Sequence, residues 1–130
     1  MPKQIYFWAA LFWTFAIAFL CLVSIGNVVP QVSLQNADKY VHFTFHFVFT
    51  WLWFLYFSHE KIESSNAKTI LAVFLLSFIY GISVEIMQGF FTIARKADIY
   101  DVLANTTGAV MAVISIRLYQ KYMQKRKLSN

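Results

Sequence analysis

The sequence predicts an all-α membrane protein, with four transmembrane helices in one bundle and both termini in the cytoplasm. Three observations lead there. Apolar residues make up 59% of the chain and charged residues 13%, against roughly 45–50% and about 25% in ordinary soluble domains. A chain of 130 residues has too little interior to hide so many aromatic rings, so lipid is their natural surrounding. The apolar residues also fall into four runs, each long enough for a helix to cross hydrocarbon about 30 Å thick. Finally, Lys and Arg divide unequally between the flanks of those runs, which sets orientation.

The first span is Ile5 to Ile25, uncharged, with Thr14 and Ser24 as its polar residues. A cleaved signal peptide competes with this reading, since Ser24-Ile25-Gly26 loosely resembles a small-x-small cleavage site. The run is longer than the apolar core of about 7–15 residues usual in signals, which favours a retained helix. Gly26 to Asp38 is a polar connection containing Pro30, with Asn36 or Asp38 as helix cap. The second span, Val41 to Phe57, is rich in Phe and Trp and carries His42 and His46. A charged loop, Ser58 to Lys68, leads to the third span, Thr69 to Phe91, in which Glu85 and Gln88 interrupt the apolar run. Thr92 to Asp98 is a short basic turn. Ile99 to Tyr119 is the fourth span, with Asp101 and Asn105 near its start, and Lys121 to Asn130 is a polar tail.

One set of flanks holds Lys3, Lys61, Lys68, Arg117, Lys121, Lys125, Arg126 and Lys127; the other holds Lys39, Arg95 and Lys96. The positive-inside bias puts the first set in the cytoplasm. The net charge of +5 therefore reads as an orientation signal. No nucleic-acid partner is expected, because the basic tail carries no reader motif. Cys21 is the single cysteine, which excludes an intrachain disulfide.

The stretch from Tyr80 to Gly108 concentrates the chemistry. Glu85 lies six residues inside the end of the third span, and Asn105 six residues inside the start of the fourth. At 1.5 Å per residue both sit about 9 Å deep. His42 lies at the start of the second span, so three helices bring polar groups to the same outer side. Ionisable groups at membrane depth usually face a bundle interior and often mark function. Asp38, His42 and His46 recur every four residues and line one face. Such a face can supply acid/base groups, metal ligands or hydrogen-bonding glue; for His46 the plain reading is a satisfied core histidine. Asp38, His42, His46 and Glu85 lack the spacing of a known metal motif, so no metal and no cofactor is expected. Asp98 suits a helix N-cap. Arg95 suits an anionic group, which its guanidinium can grip with two donors. Gly108 and Ala112 form a small-xxx-small pair that permits close helix approach, and Gly81 and Gly89 offer the same on the third span.

Taken together, Asp38-Lys39-x-x-His42-Phe43, Tyr80-Gly81-x-x-x-Glu85-x-x-Gln88 and Arg95-x-x-Asp98-x-x-Asp101-x-x-x-Asn105-x-x-Gly108 resemble the VanZ-like family. The similarity covers nearly all of the chain after the first span; Ala112 stands where glycine is common. The resemblance implies a small, multi-pass protein of the bacterial plasma membrane. The family's namesake is associated with reduced susceptibility to teicoplanin-type glycopeptides. The resemblance also implies importance for Asp38, His42, Glu85, Gln88, Arg95, Asp101 and Asn105. These are the expected ligand-binding residues of an outer-leaflet polar pocket for an anionic amphiphile: a lipid head group, a cell-wall precursor or a lipoglycopeptide. Membrane lipids are the expected partners. Two alternatives stand beside it. One is an enzyme acting on a lipid-linked substrate with Glu85 and His42 as acid and base; the absence of a nucleophile motif such as G-x-S-x-G counts against it. The other is a structural or partner-binding protein whose polar residues lock the bundle.

Overall fold

The computed structural model describes residues 2–23, 37–91 and 96–130. In chain order the helices are α1 (Lys3–Leu22), α2 (Ala37–Phe57), α3 (Ala67–Phe91) and α4 (Ile99–Leu128), with a single 3₁₀ turn, Ile62–Ser64, between α2 and α3. The expected connection after α1 and most of the basic turn before α4, Arg95 included, lie outside the described residues. No strand occurs among the described residues.

Three helices, α1, α3 and α4, are long and apolar enough to cross a membrane. The remaining helix, α2, has the length, at 21 residues, but its histidines, tryptophans and tyrosines dilute the apolar character. This helix nevertheless packs against all three others. Its buried polar side chains, His42, His46 and Thr50, therefore face protein. His46 Nδ1 lies 2.8 Å from Ser77 Oγ, Thr50 donates to the His46 carbonyl, and Trp51 donates to Ser115 Oγ. His46 is thus the satisfied core histidine that its position suggested.

Two apolar clusters fill the interior. Ile17, Cys21, Phe49 and Val84 join α1, α2 and α3; Phe54, Ile70, Val73 and Ile116 join α2, α3 and α4. Around them the surface is apolar. Trp8, Phe12, Phe15 and Phe19 of α1 are all exposed, and their spacing of three and four places them on one stripe. Water would disfavour such a stripe, whereas acyl chains suit it. The opposite face of α1 is anchored by indole and phenol groups. Trp13 donates to the Phe45 carbonyl, Trp53 to Thr14 Oγ1, and Tyr80 to the Thr14 carbonyl.

Two boundaries differ from the sequence reading. Of the two cap candidates, Asn36 lies outside the described residues, and Asp38 sits in the first turn of α2, which begins at Ala37. The polar tail is also helical: α4 runs 30 residues, to Leu128. At 1.5 Å per residue that is about 45 Å, well beyond a hydrocarbon thickness of about 30 Å. Gln120 and Gln124 hold this extension by donating to carbonyls around the 3₁₀ turn, and Lys127 pairs with Glu63. Tertiary contacts, which local composition does not reveal, thus extend the helix.

Candidate functional site

The close approach of α2 and α4 positions the site. Gly108 makes it possible: a Cβ there would stand 2.2 Å from the Phe43 carbonyl oxygen. No side chain fits at that distance. Ala109 and Ala112 continue the small, fully buried seam. With the backbones this close, the α4 residues one and two turns earlier, Asn105 and Asp101, meet His42 on α2.

His42 is 2% exposed and forms the hub. Its Nδ1 lies 3.0 Å from Asn105 Oδ1 and 3.7 Å from Glu85 Oε1. Its Nε2 lies 3.7 Å from Asp101 Oδ2 and 3.8 Å from Asp38 Oδ1. The 3.0 Å contact is a hydrogen bond, and the amide oxygen can only accept, so Nδ1 donates. In the neutral ring this leaves a lone pair on Nε2, pointing between two carboxylates. Glu85 comes from α3, where its Oε2 accepts the Asp98 backbone N–H at 3.3 Å. Gly81 lies one turn earlier on the same face. A Cβ there would stand 3.0 Å from His46 Cε1 and 3.2 Å from Asn105 Nδ2, so glycine lets α3 close over the hub.

Asp98 caps α4, as its position suggested, accepting from the Tyr100 N–H at 2.9 Å. Lys39 bridges outward from α2, with Nζ 2.8 Å from Asp101 Oδ1 and 3.1 Å from Asp98 Oδ2. The Asp101 bond, with burial opposing it, pushes the Lys39 ammonium above its ordinary pKa. The Tyr100 N–H, and then Lys39, hold the Asp98 carboxyl below the usual range. Both groups therefore stay charged through neutral pH.

Five of the seven residues singled out from the sequence meet here: Asp38, His42, Glu85, Asp101 and Asn105. Gln88 serves elsewhere. It is buried and donates to the Cys21 carbonyl at 2.7 Å, tying α3 to the last turn of α1. Arg95 lies outside the described residues, and Lys96 is exposed. Lys39 was read as an orientation charge and as a member of the family motif, without a role in the site. A signal for it existed, since Lys39 precedes His42 by three residues and shares its helix face. A second feature escaped sequence reasoning: Asp38, His42 and Asp101 hold three donor atoms within 4.8 Å of one another. The sequence-based metal reading had weighed His46 and Glu85 in place of Asp101.

Two buried atoms in this cluster, Glu85 Oε1 and Asn105 Nδ2, have no hydrogen-bond partner among the described residues. Leaving a buried polar atom unmet costs about 1–3 kcal/mol. One atom accepts and the other donates, so the cluster can still take a hydrogen-bonding guest. Around the same end Tyr40, Phe90, Phe91, Ile99 and Tyr100 are exposed and apolar. Clefts of about 480 and 300 Å³ lie at the opposite end, both walled by Lys3 and Tyr56.

The VanZ/LLP1 family model matches residues 3–120. No curated protein matches the chain, and no solved structure does. The family match covers most of α1 through α4 and includes every residue of the polar cluster, and three of the helices are long and apolar enough to span a bilayer. The chain is a small membrane protein and belongs to the VanZ/LLP1 family.

Proposed function

We propose that this protein sits in the bacterial plasma membrane as a four-span bundle with both termini in the cytoplasm. Its polar cluster then lies on the outer side and binds the head group of an anionic amphiphile: a membrane lipid, a cell-wall precursor or a lipoglycopeptide. One observation carries this reading. A bundle that used these residues only as glue would satisfy them, yet Glu85 Oε1 and Asn105 Nδ2 are buried and have no partner among the described residues. Exposed rings at the same end, Phe90, Phe91 and Tyr40 among them, offer a place for acyl chains. In this reading Arg95 engages phosphate or carboxylate oxygens through its two-donor fork, and Asp38, His42, Glu85, Asp101 and Asn105 meet hydroxyl or amine groups. The eight-to-three division of basic residues supports the orientation.

A second reading has an observation of its own. His42 Nδ1 and Glu85 Oε1 stand 3.7 Å apart in a buried site, a pairing that could move protons during a reaction on a lipid-linked substrate. Glu85→Gln separates the two. The substitution keeps shape and hydrogen bonding but removes the titratable proton. For a binding site, Glu85→Gln retains function that Glu85→Ala loses. For a catalytic acid, both lose it alike. Arg95→Lys should weaken head-group binding while preserving insertion, and Arg95→Ala should weaken it further. Orientation is tested by labelling. A cysteine at Gln35 should react from outside and one at Ser64 from the cytoplasm; outside-only labelling at Ser64 overturns the topology.

A further inference from the structure

The acid-rich cluster poses an electrostatic problem. Four carboxylates, Asp38, Glu85, Asp98 and Asp101, stand around His42 and one ammonium, Lys39. Among the described residues, negative groups outnumber positive ones at a place where Glu85 is 3% exposed and its Oε1 is unmet. Such a place attracts a cation, and by itself it repels the anionic head group.

We propose that His42 Nε2, Asp38 and Asp101 bind a first-row divalent metal ion of the zinc class. The geometry has four parts. First, Nε2 faces carboxylate oxygens at 3.7 and 3.8 Å, too far for hydrogen bonds. Two ligands each about 2.0–2.2 Å from one ion at a tetrahedral angle stand roughly 3.3–3.6 Å apart. The two spacings to Nε2 need only a few tenths of an ångström of closure, and the two carboxylate oxygens, within 4.8 Å of each other, draw together as the exposed Asp38 side chain turns in. Second, the hydrogen bonding suits the tautomer: Nδ1 donates to Asn105, so in the neutral ring, the form that binds metal, the lone pair is on Nε2. This outer hydrogen bond is the usual device that orients a metal-binding histidine. Third, Asp101 divides its work, giving Oδ1 to Lys39 and turning Oδ2 toward Nε2. Fourth, Glu85 Oε1, buried and unmet, lies against the same ring, adding negative charge and an acceptor for a metal-bound water. One imidazole and two carboxylates suit zinc or manganese over magnesium or calcium, which take oxygen ligands. Three protein ligands leave a fourth position open. A dication there offsets two of the excess negative charges, and its open position takes a phosphate or carboxylate oxygen as fourth ligand. That last step rests on the proposed function; metal binding does not.

The test uses the full chain in detergent, stripped with chelator and titrated with Zn²⁺ by calorimetry, with metal content measured separately. One zinc ion per chain is expected, and Asp38→Asn should weaken it at least tenfold, the lower range for disturbing a metal site. Asp38 is the useful variant because its side chain is 45% exposed, so its loss leaves the packing alone. Glu63→Gln, at the opposite end of the bundle, should keep the affinity. X-ray absorption should show one imidazole among oxygen neighbours and no sulfur. No stoichiometric uptake, a sulfur neighbour, or undiminished affinity in Asp38→Asn overturns the site. Head-group binding that persists in metal-free protein overturns the bridging step, in which the metal takes the anionic oxygen, while leaving the proposed function intact. Stoichiometric zinc with no anionic lipid retained supports the metal site and counts against the proposed function.

Discussion

The two ends of the bundle use polar residues in opposite ways. At the end that holds the chain termini, Gln120 and Gln124 donate to backbone carbonyls beside the 3₁₀ turn, Ser58 donates to Ser65, and Lys127 pairs with Glu63. Each group named meets a partner, and much of this network is open to solvent. At the other end His42, Glu85, Asp101 and Asn105 are all buried, and two of their atoms have no partner among the described residues. Satisfied groups fasten a helix end at little cost, whether exposed like Gln124 or buried like Gln120 and Ser58. Buried, incompletely satisfied ones destabilise the protein unless something else completes them. The contrast is what separates a fastening from a site.

The sharpest way to break the comparison is to remove the seam that assembles the cluster. Gly108→Ala places a methyl where only 2.2 Å separates it from the Phe43 carbonyl oxygen. Backbone cannot yield as a flexible side chain does, so a loss of at least about 1–3 kcal/mol is expected, more for Gly108→Leu. Thermal unfolding in detergent measures it; an unchanged midpoint would mean the helices are not this close. Next in size is the ammonium that supports Asp101. Lys39→Met leaves that buried carboxylate without its charged partner. A destabilisation of about 1–2 kcal/mol is expected, below the full penalty because Lys39 is one-third exposed. Full recovery in the Lys39→Met, Asp101→Asn double variant would show that the two act as a pair.

The smallest effect belongs to the fastening end. Lys127 holds the Glu63 carboxyl below its usual pKa. A depressed carboxylate stabilises the fold above its unfolded pKa and stops doing so as pH falls through the lower, folded value. The latch should therefore be intact at neutral pH and open below about pH 4. Glu63→Gln should abolish that acid-dependent step and leave the neutral midpoint nearly unchanged. A large loss at pH 7 would put the fastening end on a par with the cluster.

The sequence made the cluster legible because depth along a helix follows from counting. Glu85 and Asn105 lie equally far from their span ends, and His42 opens its own span, so their meeting required only that the helices pack side by side. Asp98 was readable as a cap from its place before an apolar run. Gly108 and Ala112 were readable as a seam from their spacing. Partner choice was not readable. Lys39 carries a charge that the flank count used for orientation, and nothing local shows that it bridges Asp98 and Asp101. Gln88 shares a turn with Glu85 yet faces α1, because a step of three residues rotates a side chain far enough to reach a different neighbour. The helical extension of α4 was hidden for the same reason: its partners, Ile62 and Glu63, lie more than fifty residues away.

Native mass spectrometry of the chain, gently extracted with its lipids, tests the central claim most directly. The wild-type protein should retain an anionic amphiphile that His42→Ala loses and Glu63→Gln keeps, with both variants inserted and folded. An identical lipid complement in all three would contradict the account and leave the cluster as an incompletely satisfied lock between helices.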